Sequence, residues 1–479
     1  MTPRRALGPS SVKVALVCIT LVAVAHGLFF IWYQRPDWSS QWPDQDGYRR
    51  LGAVLAATGK FTRFPDARPF VPEVIRTPVY PLFLATIYKF AGMRQLPVAL
   101  AQTALFAAIC LLVFAIARRM ASDAVALGAA ALTALFPPIP YFGALVMTEV
   151  WTTFLFTASM WTLFRAVESG RALSWAACGV LIALTTLSRP VFVLFPVALA
   201  GVGLVLFPLA GVTRRPSPRS WMILLAAFAV AMVPWMSYNY ATLGRFTLSP
   251  AGGLGRGLWE GSWQATWSGR LQDELTHLAD DIDDRAALDR RVEAVAAREH
   301  LPAAPMLEYV HQWEDIRLIW TAPVDPFERA VARVKADQEY QRVAMDNLRR
   351  DSISHLARRL ARGVFVLWAG EIPFRYSVIN DLPKAVIRAC WAIQALLFLA
   401  ACAGAFMLAR RGQVAASLLL CAPILYITAV HFPLLTEARQ SLPAQPIVLL
   451  LATIAAIGVE YPAGHSLALE SQVHERQHL

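Results

Sequence analysis

Pro43-Asp44-Gln45-Asp46-Gly47-Tyr48 and, further on, Arg76-Thr77-Pro78 form a polar stretch flanked by long apolar segments. The run before it, Val12 to Tyr33, is long enough to cross a hydrocarbon core of about 30 Å as one helix. Apolar runs of similar length recur along the chain after it. A chain that returns repeatedly to such runs and keeps its polar groups between them is an all-α polytopic membrane protein. The composition agrees: 57% of the residues are hydrophobic and only 16% charged, where soluble domains carry about a quarter charged residues. Mean hydropathy is +0.46.

Working outward, spans are expected at about 13–33, 97–117, 124–142, 150–167, 173–188, 191–209, 221–240, 386–409, 414–432 and 443–460. Pro81 to Gly92 is apolar but too short to cross, and reads as an interfacial helix. The formal net charge is +11. On a soluble chain that balance would suggest nucleic acid. Here Arg4-Arg5, Arg118-Arg119, Arg165 with Arg171, Arg214-Arg215 with Arg219, and Arg410-Arg411 fall on alternate turns. That is the positive-inside pattern of a protein with ten spans and both termini cytoplasmic; no nucleic-acid partner is implied. The N-terminal run ends in Tyr-Gln-Arg-Pro-Asp-Trp instead of a small-residue cleavage site, so it reads as a retained helix. The six cysteines lie in apolar segments without paired spacing and indicate neither disulfides nor a metal site.

This parity divides the chain into an N-terminal transmembrane catalytic region (1–240, with external loop 34–96), an extracytoplasmic insert (241–385), C-terminal spans (386–460) and a cytoplasmic tail (461–479) expected to be disordered. The insert holds 21 of the 33 acidic residues. It opens with a Gly- and Trp-rich loop, 252–267, and helices are expected at about 272–299, 307–320, 325–350 and 352–369. Asp280-Asp281-Ile282-Asp283-Asp284 lacks the glycine and closing glutamate of a calcium loop and reads as a solvated helix start. Trp259, Trp263 and Trp267 recur every four residues, which suits insert packing, a membrane contact or a sugar-stacking surface. The segment 352–369 alternates Arg358, Arg359 and Arg362 with Leu356, Leu360 and Phe365, as in a helix lying on a membrane.

The same parity brings Asp44 or Asp46, Arg76, Glu149, Arg189, Tyr238, Asn239, His431, Glu437 and Arg439 to one external boundary. Ionisable groups beside spans gather where they build a polar cavity. Carboxylates among guanidinium groups, next to hydrocarbon, suit a phosphate carried on a lipid, because arginine grips phosphate oxygens in pairs and stays charged when desolvated. A carboxylate there would take the proton of an acceptor hydroxyl attacking an anomeric carbon, while arginines stabilise the departing phosphate.

Several motifs, in order, carry a family resemblance. They are Pro43-Asp44-Gln45-Asp46-Gly47-Tyr48 with Leu51-Gly52-Ala53, and Arg76-Thr77-Pro78-Val79-Tyr80-Pro81. Met147-Thr148-Glu149, Leu187-Ser188-Arg189-Pro190 and Glu437-Ala438-Arg439-Gln440 follow. The set resembles the GT-C-fold membrane glycosyltransferases of the protein O-mannosyltransferase and aminoarabinose-transferase superfamily, over most of residues 10–460. The resemblance implies a GT-C-like bundle of about ten transmembrane helices with juxtamembrane helices and an extracytoplasmic insert. It implies a polyprenyl-phosphate-linked sugar donor in the bacterial inner membrane, an active site facing the periplasm or exterior, and a glycolipid, glycan or protein acceptor among membrane lipids. The family's catalytic carboxylate stands four residues before a tyrosine, which maps onto Asp44 before Tyr48; Asp46 competes for the role. Tyr48, Arg76, Glu149, Arg189, Glu437 and Arg439 are then expected to bind substrate. The closing motif departs from the family in having Ala438 and Gln440 on either side of Arg439.

Each residue also has a plainer reading. Asp44 can be a loop residue, Asp46 a helix cap, Arg76 an interface anchor, Glu149 a carboxylate favoured by a helix N-terminus, and Arg439 simply the partner of Glu437. His431 reads as a satisfied helix-end histidine. A divalent cation shared by Asp44, Asp46 and Glu149 is left open; no dense metal motif exists. Two further functions compete, a flippase for lipid-linked glycans and a ligase for whole glycan polymers, besides a non-catalytic scaffold. A flippase would show inverted repeats and midplane charges, which this sequence lacks.

Overall fold

A computed structural model describes residues 8–35, 38, 43–213, 215–370 and 382–458, and every regular element among them is helical. Arg4-Arg5, Arg214 and the tail beyond 458 lie outside the described residues. The N-terminal half runs α1 (Pro9–Gln34), α2 (Pro43–Thr58), α3 (Val79–Ala91), α4 (Gln95–Ala117), α5 (Asp123–Ala134), α6 (Pro138–Gly143), α7 (Glu149–Ser169) and α8 (Ala172–Thr186). It closes with α9 (Pro190–Leu209) and α10 (Pro218–Leu243).

Among the described residues, seven helices are long and apolar enough to cross a membrane: α1, α4, α9, α10, and near the C-terminus α17 (Lys384–Arg410), α18 (Val414–His431) and the stretch Ala438–Ile457. The chain is thus an all-α polytopic bundle. Helices also stand at the other three expected spans, but they fall short of that standard. The expected span 124–142 is broken: α5 ends at Ala134, because Pro137, Pro138 and Pro140 remove backbone donors and clash with the preceding turn. α8 has only 15 residues. α7 has 21 residues but carries Thr152, Thr153, Thr157, Ser159 and Thr162, all buried. Thr153, Thr157 and Thr162 return their hydroxyls to carbonyls one turn back. A helix walled in by neighbours does not need a lipid-like surface.

α7 sets the axis of the bundle. At about 1.5 Å per residue its 21 residues reach about 30 Å. At its C-terminal end Arg119 pairs with Glu168, Arg118 with Asp123 at 2.8 Å, and Gln413 donates to the Met120 carbonyl at 3.0 Å. Three of the turns that the arginine pattern assigns to one side are therefore neighbours in space. Glu149 opens the opposite end.

A close crossing lies between α17 and the last described helix, α19 (Gln445–Ile457). A Cβ at Gly404 would sit 1.9 Å from the Leu451 carbonyl oxygen. Backbone meets backbone there, and neither side can yield. Gly404→Ala is expected to cost on the order of 1–3 kcal/mol, read as a lower Tm of the purified protein; an unchanged Tm would mean that the two helices are not in this contact.

Residues 254–349 carry five helices: α11 (Leu254–Trp263), α12 (Gly269–Asp281), α13 (Arg285–Glu299), α14 (Ala303–Thr321) and α15 (Pro326–Arg349). This corrects two expectations. The Gly- and Trp-rich stretch is not a loop throughout but contains α11. The helix expected over 272–299 is two helices, parted where Asp284 turns its carboxylate to cap α13 through the Ala286 and Ala287 amides. Trp259, Trp263 and Trp267 are buried with Tyr309 in a core of their own, Trp259 stacked on Tyr309 at 5.0 Å. They pack the insert; none offers a sugar-stacking face. α16 (Ile353–Phe365) follows, with Leu356, Leu360 and Phe365 exposed. Its Arg359 is not a surface residue: it is buried, pairs with Asp351 at 3.3 Å and donates to the Pro433 carbonyl.

Candidate active site

Five sequence-distant segments meet at the Glu149 end of the bundle. The first two turns of α2 supply Asp44 and Tyr48. Gln45, between them, is buried and accepts the Val146 amide at 2.9 Å, which ties α2 to the loop leading into α7. That loop is held from the other side by two glutamines of α4. Gln95 donates to the Ala144 carbonyl, and Gln102 donates to the Gly143 and Leu145 carbonyls while accepting the Tyr80 hydroxyl. These buried amides satisfy carbonyls freed where the proline-rich α6 interrupts regular helix.

Glu149 then stands at the start of α7 with its side chain only 1% exposed. Arg189 reaches its Oε1 at 3.3 Å and also donates to the Arg439 carbonyl at 3.5 Å. Arg439 lies 3.7 Å from Glu149, 3.9 Å from Asp44 and 2.7 Å from Glu437. Its placement comes from a short 3₁₀ turn, Ala438–Ala444, on which Glu437 and Gln440 cap each other reciprocally. Burial raises the Glu437 carboxyl, but the charge and hydrogen bond of Arg439 outweigh it and the net shift is downward. A depressed carboxyl contributes stability above about pH 4.3 that is lost as pH falls through its lower folded value.

Arg76 completes the ring. Its guanidinium lies 3.6 Å from Asp44 Oδ1 and 4.8 Å from the centroid of the Tyr48 ring. Tyr48 in turn meets Tyr80 edge-on at 5.2 Å, and burial lifts its phenol to about 12. Asp44 stands apart from the other carboxylates of the ring. Its side chain is 55% exposed, and its contacts to Arg76 and Arg439 are too long for hydrogen bonds. Arg76 Nε and Glu149 Oε2 are buried and have no hydrogen-bond partner among the described residues.

A cavity of about 1860 Å³ opens over this ring. Asp44, Tyr48, Arg76, Glu149, Arg189, Glu437 and Arg439 all line it, as does His431, whose ring is satisfied by the Ile427 carbonyl at 2.8 Å. Asp46 does not: its side chain is 68% exposed and faces Arg49 at 3.8 Å. One wall is apolar, with Val193, Leu194, Phe365, Ile387, Trp391 and Tyr426. The wall formed by the insert includes Arg256 and Glu260, which nothing in the local sequence marks, and Arg362, which the sequence pattern assigns to a membrane-surface helix. Gln45 and Gln102 were detectable in principle, as polar residues in a motif and in an apolar helix. Among the described residues no group of three His, Cys, Asp or Glu is arranged to hold a metal ion, and Arg439 occupies the space between Asp44 and Glu149.

Gly47 makes the Arg76 seat. A Cβ there would lie 2.0 Å from Arg76 Nη2 and 2.2 Å from Cζ. The guanidinium ends a flexible side chain, so Gly47→Ala is expected to push Arg76 aside while α2, favoured by about 1 kcal/mol of helix propensity, stays folded. Transfer assays and thermal unfolding should show activity as low as in Arg76→Ala at an undiminished Tm; wild-type activity would remove Arg76 from the machinery.

Residues 75–238 match the family model described as dolichyl-phosphate-mannose-protein mannosyltransferase. No curated protein sequence matches significantly. Among solved structures, the apo oligosaccharyltransferase of Archaeoglobus fulgidus aligns at TM-score 0.51 and 15% identity, over 94% of this chain and 52% of that one. The archaeal oligosaccharyltransferase AglB of Archaeoglobus fulgidus in complex with an inhibitory peptide and a dolichol-phosphate gives 0.49 and 16%, over 93% and 50%. ArnT from Cupriavidus metallidurans bound to undecaprenyl phosphate gives 0.40 and 14%, over 94% and 78%. The chain thus spans about half the length of the oligosaccharyltransferases it matches. The family match is confined to residues 75–238, and the chain shares the fold of the apo oligosaccharyltransferase; both agree with the resemblance that the ordered motifs carry to GT-C-fold membrane glycosyltransferases.

Proposed function

We propose that the chain transfers a sugar from a polyprenyl-phosphate-linked donor to an extracytoplasmic hydroxyl of a glycolipid, an envelope glycan or a protein. The observation that carries this reading is Asp44, loosely held and half exposed, between Arg76 and Arg439 at the mouth of a cavity with an apolar wall. The family model's description, a dolichyl-phosphate-mannose-dependent transferase, supports the donor class.

In this mechanism the lipid phosphate lies against Arg76 and Arg439, with its chain along Leu194, Ile387 and Trp391. Asp44 takes the proton of the acceptor hydroxyl as that oxygen bonds to the anomeric carbon. The bond from that carbon to the phosphate oxygen breaks, and its electron pair leaves on the phosphate, where the guanidinium groups meet the growing charge. A single displacement inverts the anomeric centre. Glu149, tied to Arg189 and Arg439, orients the arginines. The topology that goes with this reading has ten spans, α5, α7 and α8 included, with the 241–385 insert over an active site outside the bacterial inner membrane.

Reconstituted protein should be incubated with radiolabelled sugars carried on undecaprenyl phosphate and, separately, on nucleoside diphosphates, with membrane-extracted glycolipids as acceptor. Label should move, with release of undecaprenyl phosphate, from lipid donors only. Transfer from the nucleotide donors in the absence of lipid carrier would overturn the reading.

A further inference from the structure

Glu73 is a buried carboxylate that this mechanism leaves unused. It lies in the loop between α2 and α3 with a side chain that is 0% exposed. One oxygen, Oε1, accepts the backbone amides of Ile75 at 2.9 Å and Arg76 at 3.3 Å. The other lies 2.7 Å from Arg63 Nε in an ion pair. The loop is also clamped from the insert side: the Ala251 amide donates to the Val74 carbonyl at 2.8 Å and the Ser249 hydroxyl to the Ile75 carbonyl at 3.0 Å. A carboxylate buried this deeply costs free energy unless each oxygen is matched. Here Oε1 is matched by two amides of the backbone that carries Arg76, while Oε2 is offset by the charge of Arg63 in an ion pair and not by a hydrogen bond.

We infer that Glu73, braced by Arg63, is a positioning residue that fixes the Arg76 main chain and thereby aims its guanidinium at the donor phosphate. Arg76 has little else to aim it. Its side chain makes a 3.5 Å hydrogen bond to the Asp44 carbonyl, a long contact to the Asp44 carboxylate and a face-on contact with Tyr48, none of which fixes a long flexible side chain whose root can move. The two amide bonds and the two insert clamps hold that root on both sides. The inference rests on the reading of Arg76 as a donor ligand.

The test combines donor kinetics with amide hydrogen exchange on the full-length protein. Glu73→Ala should raise the KM for undecaprenyl-phosphate sugar by about tenfold or more, with a smaller change in kcat, and should speed exchange in peptides covering residues 70–80. Glu73→Gln keeps an acceptor oxygen for both amides and should restore most of each effect, although it gives up the Arg63 charge. Combining Glu73→Ala with Arg76→Ala should add nothing to the KM of Arg76→Ala alone. A KM penalty that adds in full to that of Arg76→Ala, or a Glu73→Ala variant with native exchange over 70–80, overturns the inference. If Arg76→Ala leaves the donor KM unchanged, it is the donor-ligand reading that fails, and the exchange result still decides whether Glu73 holds the loop.

Discussion

Asp44→Asn is expected to slow sugar transfer by about 10²–10⁴-fold, the usual worth of a positioned general base, while donor binding survives. Asparagine keeps the shape of the side chain and an oxygen toward Arg76, so the ring of contacts changes little. What it loses is the negative charge and basicity with which a carboxylate accepts the hydroxyl proton. Asp44 suits that task better than its neighbours. Glu149 is buried and engaged by Arg189, and Glu437 is neutralised by Arg439 and bound into a capping box. Asp46 points to Arg49 outside the cavity, so Asp46→Asn is expected to keep activity near that of the intact protein. The comparison uses single-turnover transfer from a radiolabelled lipid donor, with binding of the unreacted donor followed in parallel. Full activity of Asp44→Asn together with a dead Asp46→Asn would transfer the role to Asp46.

Arg439→Gln is expected to lower kcat/KM by about 10²–10³-fold, the scale seen when one preorganised donor to a developing oxyanion is removed. Arg439 touches three carboxylates, so the variant removes more than a phosphate contact: Glu437 and Glu149 lose a counterion. Arg439→Lys separates the two effects. It keeps the positive charge for Glu437 but cannot present a planar fork to a phosphate. The lysine variant should regain the Tm lost by Arg439→Gln while recovering only part of kcat/KM. That Tm difference should also narrow as pH falls below about 4.3, because Glu437, whose carboxyl is depressed by Arg439, takes up a proton there and the ion pair ends. Donor KM and Tm both equal to those of the intact protein in Arg439→Gln would sink the phosphate assignment.

That the chain is an all-α polytopic membrane bundle, and which polar motifs interrupt its apolar runs, was legible in the sequence. Apolar runs, proline breaks and arginine pairs are local signals, since a helix that crosses lipid must carry its own solubility along its length. Hence the segments near 13–33, 97–117, 191–209, 221–240, 386–409 and 414–432 stand as long apolar helices. Order alone also named Asp44, Arg76, Glu149, Arg189, Glu437 and Arg439 as one set. Tertiary structure decided what depends on partners far away in the chain. α7 tolerates its threonines because neighbours cover it, a fact no window of hydropathy contains. Trp259 is core and not a sugar platform because Tyr309 stacks on it. Asp44 and Asp46, two residues apart on one helical turn, diverge because residues so spaced face different sides: one looks into the cavity, the other at Arg49. Gln45 and Glu73 became structural anchors only when the backbone amides of Val146 and Arg76 were brought to them.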